Sequence, residues 1–142
     1  MKTKFWIAVV SKKHVIKGMN WSILQVCHGK KAPLKRIKKD DFVIFYSSKK
    51  DIKDKKPFQK FTAIAKAIDN EIYQIEQFKG FEPFRRKVDF IDCEETEIRP
   101  LINELDFIPN KKSWGYPFRY GLLEISKKDF KLVASKMSYH YE

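Results

Sequence analysis

The residues best placed to do chemistry stand together in one basic turn, Gln25-Val26-Cys27-His28-Gly29-Lys30-Lys31-Ala32-Pro33-Leu34-Lys35-Arg36. Its glycine lets backbone approach a ligand closely, its adjacent lysines offer point charges to phosphate, and Pro33 stiffens the exit. Four other places carry matching groups: the hydroxyl-tipped run Tyr46-Ser47, the pair Phe84-Arg85, the stretch from Trp114 to Arg119, and Trp21 among polar neighbours. A flipped or single-stranded base needs aromatic faces, for which Trp21, Phe84, Trp114 and Phe118 are the candidates. Flanking phosphates need cations, offered by His28, Lys30, Lys31, Lys35, Arg85, Arg86 and Arg119. Base edges need fixed polar groups, and Ser11, Asn20, Ser47 and the backbone at Gly29 are the best offers.

Patterns for other chemistries are missing. There is no nucleophile elbow, phosphate-binding loop, H-E-x-x-H helix or dinucleotide fingerprint, and Glu94, Glu95 and Glu97 crowd together as a solvated run does. A binding module is therefore expected rather than an enzyme. Cys27 and Cys93 lie far apart, and with three histidines they make no ligand set, so no metal, cofactor or disulfide is expected and a reducing cytoplasm fits best. The apolar run from Phe5 to Val10 is too short for a signal-peptide core or a membrane span.

The charge balance agrees with a polyanionic partner. Against 18 Asp and Glu stand 30 Lys and Arg, a formal net charge of +12, which favours nucleic acid over a neutral ligand. The alternative is a protein-interaction or small-molecule-binding module that uses the same aromatic and basic surface without reading a base. At 142 residues, with 43% hydrophobic and 15% aromatic residues, the chain is expected to form one domain (1–142) around an ample core.

The elements that must position these groups follow from periodicity. Residues 5–10 form a strand apolar on both faces, and Ser11 caps a short helix that ends at Gly18, leaving Asn20-Trp21-Ser22 as a loop. Strands are expected over 41–47, 59–69, 72–76 and 84–91, with Phe61, Ala63, Ala65 and Ala67 sharing one face of the second of these. Ile98, Leu101, Ile102 and Leu105 give one helical stripe behind Pro100. Residues 118–125 read as a closing strand, and Ser126 with Asp129 opens a last helix bearing Phe130, Val133, Ala134 and Met137. The sum is a mixed α/β (α+β) fold, a curved and mainly antiparallel sheet closing to a β-barrel with helices outside.

Several motifs in order, Phe5-Trp6-Ile7-Ala8-Val9 with Ser11, Cys27 through Leu34, Phe45-Tyr46-Ser47, Gly80 through Arg86, and Trp114 through Leu122, resemble those of the EVE-domain proteins, in their stand-alone prokaryotic branch. The resemblance spans nearly the whole chain. It implies a PUA-like β-barrel related to the YTH readers of methylated adenine, and binding of DNA or RNA with a modified base held in an aromatic pocket. Phe81 and Phe84 fall in the loop where a YTH domain carries a cage tryptophan, and Leu24 or Gln25 precedes the turn. The pocket is expected at the barrel mouth, formed by His28-Gly29-Lys30-Lys31, Tyr46-Ser47, Phe84-Arg85 and the Trp114 to Arg119 loop, with Trp21 as a further wall.

Overall fold

A computed structural model describes residues 2–142. Its centre is a mixed sheet of eight strands: β1 (Phe5–Val9), β2 (Ile23–Leu24), β3 (Phe42–Ser47), β4 (Lys60–Ala67), β5 (Tyr73–Gln74), β6 (Phe84–Ile91), β7 (Thr96–Glu97) and β8 (Leu122–Ile125). Their order is β2-β6-β4-β3-β1-β8, with β5 on β6 and β7 on β4. Only β1 and β3 run parallel; every other pair is antiparallel.

The apolar alternation of β1 and β3 sends side chains into two cores, because both faces of the sheet are covered. On one face Phe5, Ile7, Phe42, Ile44 and Tyr46 meet helix α2 (Lys127–Lys136) and the 3-10 turn Arg99–Glu104. On the other, Trp6, Ala8, Val43 and Phe45 meet Val15 of helix α1 (Lys12–Trp21) and Leu34 and Ile37 beside the basic turn. Both helices begin as expected, with Ser11 accepting from the His14 amide and Ser126 from the Asp129 amide.

Five expectations need correction. The sheet does not close into a barrel: β2 pairs only with β6 and β8 only with β1. The closing strand is short because Pro117 starts a 3-10 turn, Tyr116–Tyr120, and Gly121 leaves it at φ +77, so β8 begins at Leu122. Helix α1 does not stop at Gly18 but runs to Trp21, placing Asn20 and Trp21 on its last turn; Ser22, at φ 55, ends it. A side chain at position 18 would meet the Ile23 carbonyl at 2.9 Å, so this glycine serves close packing. Phe61 does not share a face with Ala63, Ala65 and Ala67, because the β3–β4 register slips at Phe45/Tyr46 and turns Phe61 towards the α2 core. The stripe from Ile98 to Leu105 is buried as expected, but on 3-10 rather than α geometry.

Arg85 and Arg86 point to opposite sides of β6, and both are buried. Arg86 donates to the backbone oxygens of Leu34, Ile37 and Asp69, tying the segment after the basic turn to the sheet. It is a structural cation, unavailable to phosphate. Among the described residues no helix is long and apolar enough to cross a membrane.

Candidate nucleic-acid interface

The unclosed seam of the sheet is a cleft of about 930 Å³. Ile23, Gln25 and Val26 line it from the β2 side, and Val9, Phe118 and Gly121 from the β1–β8 side. Cys27 reaches across to Gly121: a Cβ on Gly121 would lie 2.6 Å from the Cys27 sulfur. Helix α1 forms one wall, presenting Ser11, His14, Gly18 and Trp21 at helical spacing.

The basic turn is strained at the cleft. Cys27, His28 and Gly29 take φ of 49, 60 and 83°, three successive left-handed residues of which only one is glycine. Such conformations persist only where surroundings enforce them, and they gather at ligand sites. Gly29 is enforced from behind: a Cβ there would come 2.5 Å from that of Pro83 and 3.4 Å from the Phe81 ring. The close approach this glycine permits is thus to the neighbouring hairpin rather than to a ligand. That hairpin turns at Gly80 (φ +87) and sets Phe78 and Phe81 side by side, ring centroids 5.0 Å apart, with Phe78 62% exposed.

Trp21 is 47% exposed, and the Arg85 guanidinium lies 4.8 Å from its ring centroid. Arg85 itself donates to Gln25 Oε1 at 2.6 Å and Gln77 Oε1 at 3.0 Å, and Gln25 Nε2 donates to Gln77 at 3.2 Å. This half-buried chain joins the tryptophan, the basic turn and the hairpin, so Arg85 is held against the indole by its partners and is not free to meet phosphate. Lys17, Lys30, Lys49 and Arg119 supply four cations to the lining, with His14 and His28. No carboxylate stands among the described lining residues. Burial, with Lys17 and Lys13 nearby, holds the His14 pKa below its usual value.

Of the expected site, Ser11, Trp21, His28, Gly29, Lys30, Phe118 and Arg119 come together here. The others do not. Asn20 is exposed outside the lining, and Lys31 extends over the Phe84 ring at 5.6 Å, that ring being packed on the second core. Ser47 is fully buried, its hydroxyl donating to the Val10 carbonyl at 2.6 Å and paired with Thr62 at 2.9 Å, so it reads no base. Tyr46 is buried against Phe118, and Trp114 opens on a neighbouring hollow. Sequence reasoning missed His14, Lys17, Lys49, Gln77, Phe78 and Tyr120 as lining residues. The spacing 11, 14, 18, 21 along α1, and two phenylalanines flanking Lys79-Gly80, were the signals that point to several of them.

The fold is thus an open-seamed sheet carrying an aromatic, cation-lined cleft. The EVE domain family matches residues 4–136, and the chain belongs to that family. It is 50% identical over 127 residues to the UPF0310 protein in the gntR 5′ region of Bacillus licheniformis, covering 89% of this chain and 86% of that one. It is 40% identical over 137 residues to UPF0310 protein YdcG of Bacillus subtilis, covering 96% and 94%. Among solved structures, the YTH domain of Zygosaccharomyces rouxii MRB1 in complex with N6-methyladenosine RNA superposes with a TM-score of 0.63 at 17% identity, covering 99% of this chain and 90% of that chain. Human THYN1 in complex with 5-methylcytosine-containing DNA gives 0.53 at 13%, covering 98% and 100%. At these identities the two structures establish the shared PUA-like fold.

Proposed function

We propose that this protein is a non-catalytic cytoplasmic reader of nucleic acid that takes one modified base out of its strand into the seam cleft. The observation that carries this reading is the lining: Trp21, Phe78 and Phe81 offer π-faces, four cations offer counter-charge, and no carboxylate opposes a phosphate. At about 930 Å³ the cleft falls among ligand sites of ordinary size, roughly 300–1,000 Å³, with room for a base and its sugar. Extruding a base costs a few kcal/mol of stacking, which aromatic contacts of about 1–3 kcal/mol each offset. Each residue then has a role. Trp21 stacks on the base, held by Arg85; Phe78 and Phe81 close over its side; Lys30, Arg119, Lys17 and Lys49 meet flanking phosphates; Ser11 and His28 approach its edge. The likeness to folds crystallised with N6-methyladenosine RNA and 5-methylcytosine DNA supports a methylated base as the ligand.

The test is equilibrium binding of matched oligonucleotide pairs, RNA with and without one N6-methyladenosine and DNA with and without one 5-methylcytosine. The expected result is one pair in which the methylated strand binds at least about fivefold tighter, a difference of roughly 1 kcal/mol. Equal binding across both pairs would refute base reading, and an affinity indifferent to salt would favour a protein partner.

A further inference from the structure

Beside the cleft lies a second hollow of about 450 Å³. The two share Val9, Ser48, Phe118 and Arg119, so Ser48 and Arg119 stand on the divide between them. Into the second hollow alone open Tyr46, Gln59, Trp114 and Gly115.

These residues are held in place with care for their polar ends. Tyr46 is 2% exposed and stacks on Phe118 with ring centroids 4.1 Å apart and planes 15° from parallel. Its hydroxyl makes no hydrogen bond to another described residue, and a phenol is a protonated donor at neutral pH, the more so here because burial raises its pKa. The oxygen is not among the buried atoms left without a partner; it meets the hollow that Tyr46 lines, where it is free to donate to a bound group. Arg99 fixes the opposite side: its Nε donates to Gln59 Oε1 at 2.9 Å while its guanidinium lies 5.4 Å from the Trp114 ring centroid. Phe118 meets that same tryptophan edge-on, centroids 6.5 Å apart at 78°. Gln59 is held at φ 56, a strained backbone for a side chain of its size.

A stacking face on Trp114, a lone donor at Tyr46, and a cation shared with the cleft call for a flat ring bearing an acceptor, joined through an anion to whatever fills the cleft. We infer that this hollow is a second nucleotide subsite, holding the base next to the extruded one, with the phosphodiester between them crossing at Ser48 and Arg119. The inference rests on the reading of the seam cleft as the site of the extruded base. A strand is thereby engaged as a dinucleotide step, and the identity of the neighbouring base adds sequence context that Tyr46 and Gln59 read.

The test uses end-labelled single strands of seven nucleotides in fluorescence polarisation, carrying N6-methyladenosine in RNA or 5-methylcytosine in DNA, each also made with an abasic residue immediately 5′ or immediately 3′ of the methylated one. For wild type, the abasic residue on one side is expected to weaken binding about tenfold and on the other side to change it little. Trp114→Leu should bind the intact strand as weakly as wild type binds that abasic strand, and lose nothing more when the base is removed. Tyr46→Phe, which deletes only the hydroxyl, should weaken binding of the intact strand severalfold and leave the abasic strand unaffected. Trp21→Ala should lose preference for the methylated strand yet keep its dependence on the neighbour. Preference for the methylated strand without any abasic effect would overturn the second subsite and leave the cleft standing. No binding, or no preference for the methyl group, would remove the cleft reading and the subsite with it.

Discussion

Trp21→Ala separates recognition from folding. The indole is 47% exposed, so the fold loses only half of its burial and one cation–π contact with Arg85 at 4.8 Å. Half of a full tryptophan burial and that contact together amount to about 2 kcal/mol of stability. Trp6 is the internal comparison: it is 2% exposed and its Nε1 donates to Asp41 Oδ2 at 3.0 Å, so Trp6→Ala should cost about 3–5 kcal/mol and leave a buried carboxylate short of a donor. In binding the order reverses, because a stacked base contributes roughly 1–3 kcal/mol, between about fivefold and 150-fold in affinity, and only Trp21 faces the cleft. Urea denaturation followed by circular dichroism gives the first quantity, and polarisation titration with a methylated strand below the denaturation midpoint gives the second. The reasoning is refuted if Trp21→Ala destabilises the fold as much as Trp6→Ala, or if it binds methylated and unmethylated strands as wild type does.

Four further outcomes are expected. Arg86→Met should lose at least about 3 kcal/mol in chemical denaturation, since three backbone oxygens and the loop after the basic turn lose their buried donor. Gly29→Ala should destabilise by more than about 1 kcal/mol, as both the φ of +83 and the 2.5 Å approach to Pro83 oppose a Cβ; a rise in melting temperature would contradict this. Lys30→Ala should flatten the plot of log affinity against log salt by roughly 0.7, one phosphate contact on a single strand, while weakening methylated and unmethylated strands alike. In a pH titration by NMR, His14 of the free protein should lose its proton below the ordinary histidine value, because burial and then Lys17 and Lys13 disfavour the charged ring. The folded pKa being depressed, the contribution of His14 to stability is present above the unfolded pKa and is lost as pH falls through the folded one. Added oligonucleotide should shift that midpoint upward as phosphate favours the imidazolium, and an unmoved midpoint would place the strand elsewhere.

What the sequence could convey was whatever depends on neighbours along the chain. The both-face apolar pattern of β1 and β3, the Ser11 and Ser126 caps and the buried stripe from Ile98 to Leu105 are local signals, and each appears in the fold. Features decided by distant backbone were not legible. Gly18 looks like a helix stop because its reason, the Ile23 carbonyl passing behind it, belongs to tertiary packing, and Trp21 was misplaced in a loop as a result. Ser47 looked like a free hydroxyl until Val10 and Thr62 closed on it. Arg85 and Trp21 were both named, but their joining across 64 residues of chain through Gln25 and Gln77 is a product of β2 pairing with β6. Closure failed for a reason the sequence did carry, Pro117 and Gly121 bracketing a turn where a strand was expected.

The central claim, a methylated base held in the seam cleft, is tested most directly by NMR of isotope-labelled protein titrated with a short methylated strand. The account predicts ring-current shifts concentrated on the Trp21 indole N–H and the amides of residues 27–30 and 78–81, with contacts from the methyl group to Trp21 or Phe81. Shifts centred on α2 and the 3-10 turn Arg99–Glu104, with Trp21 unmoved, would contradict it.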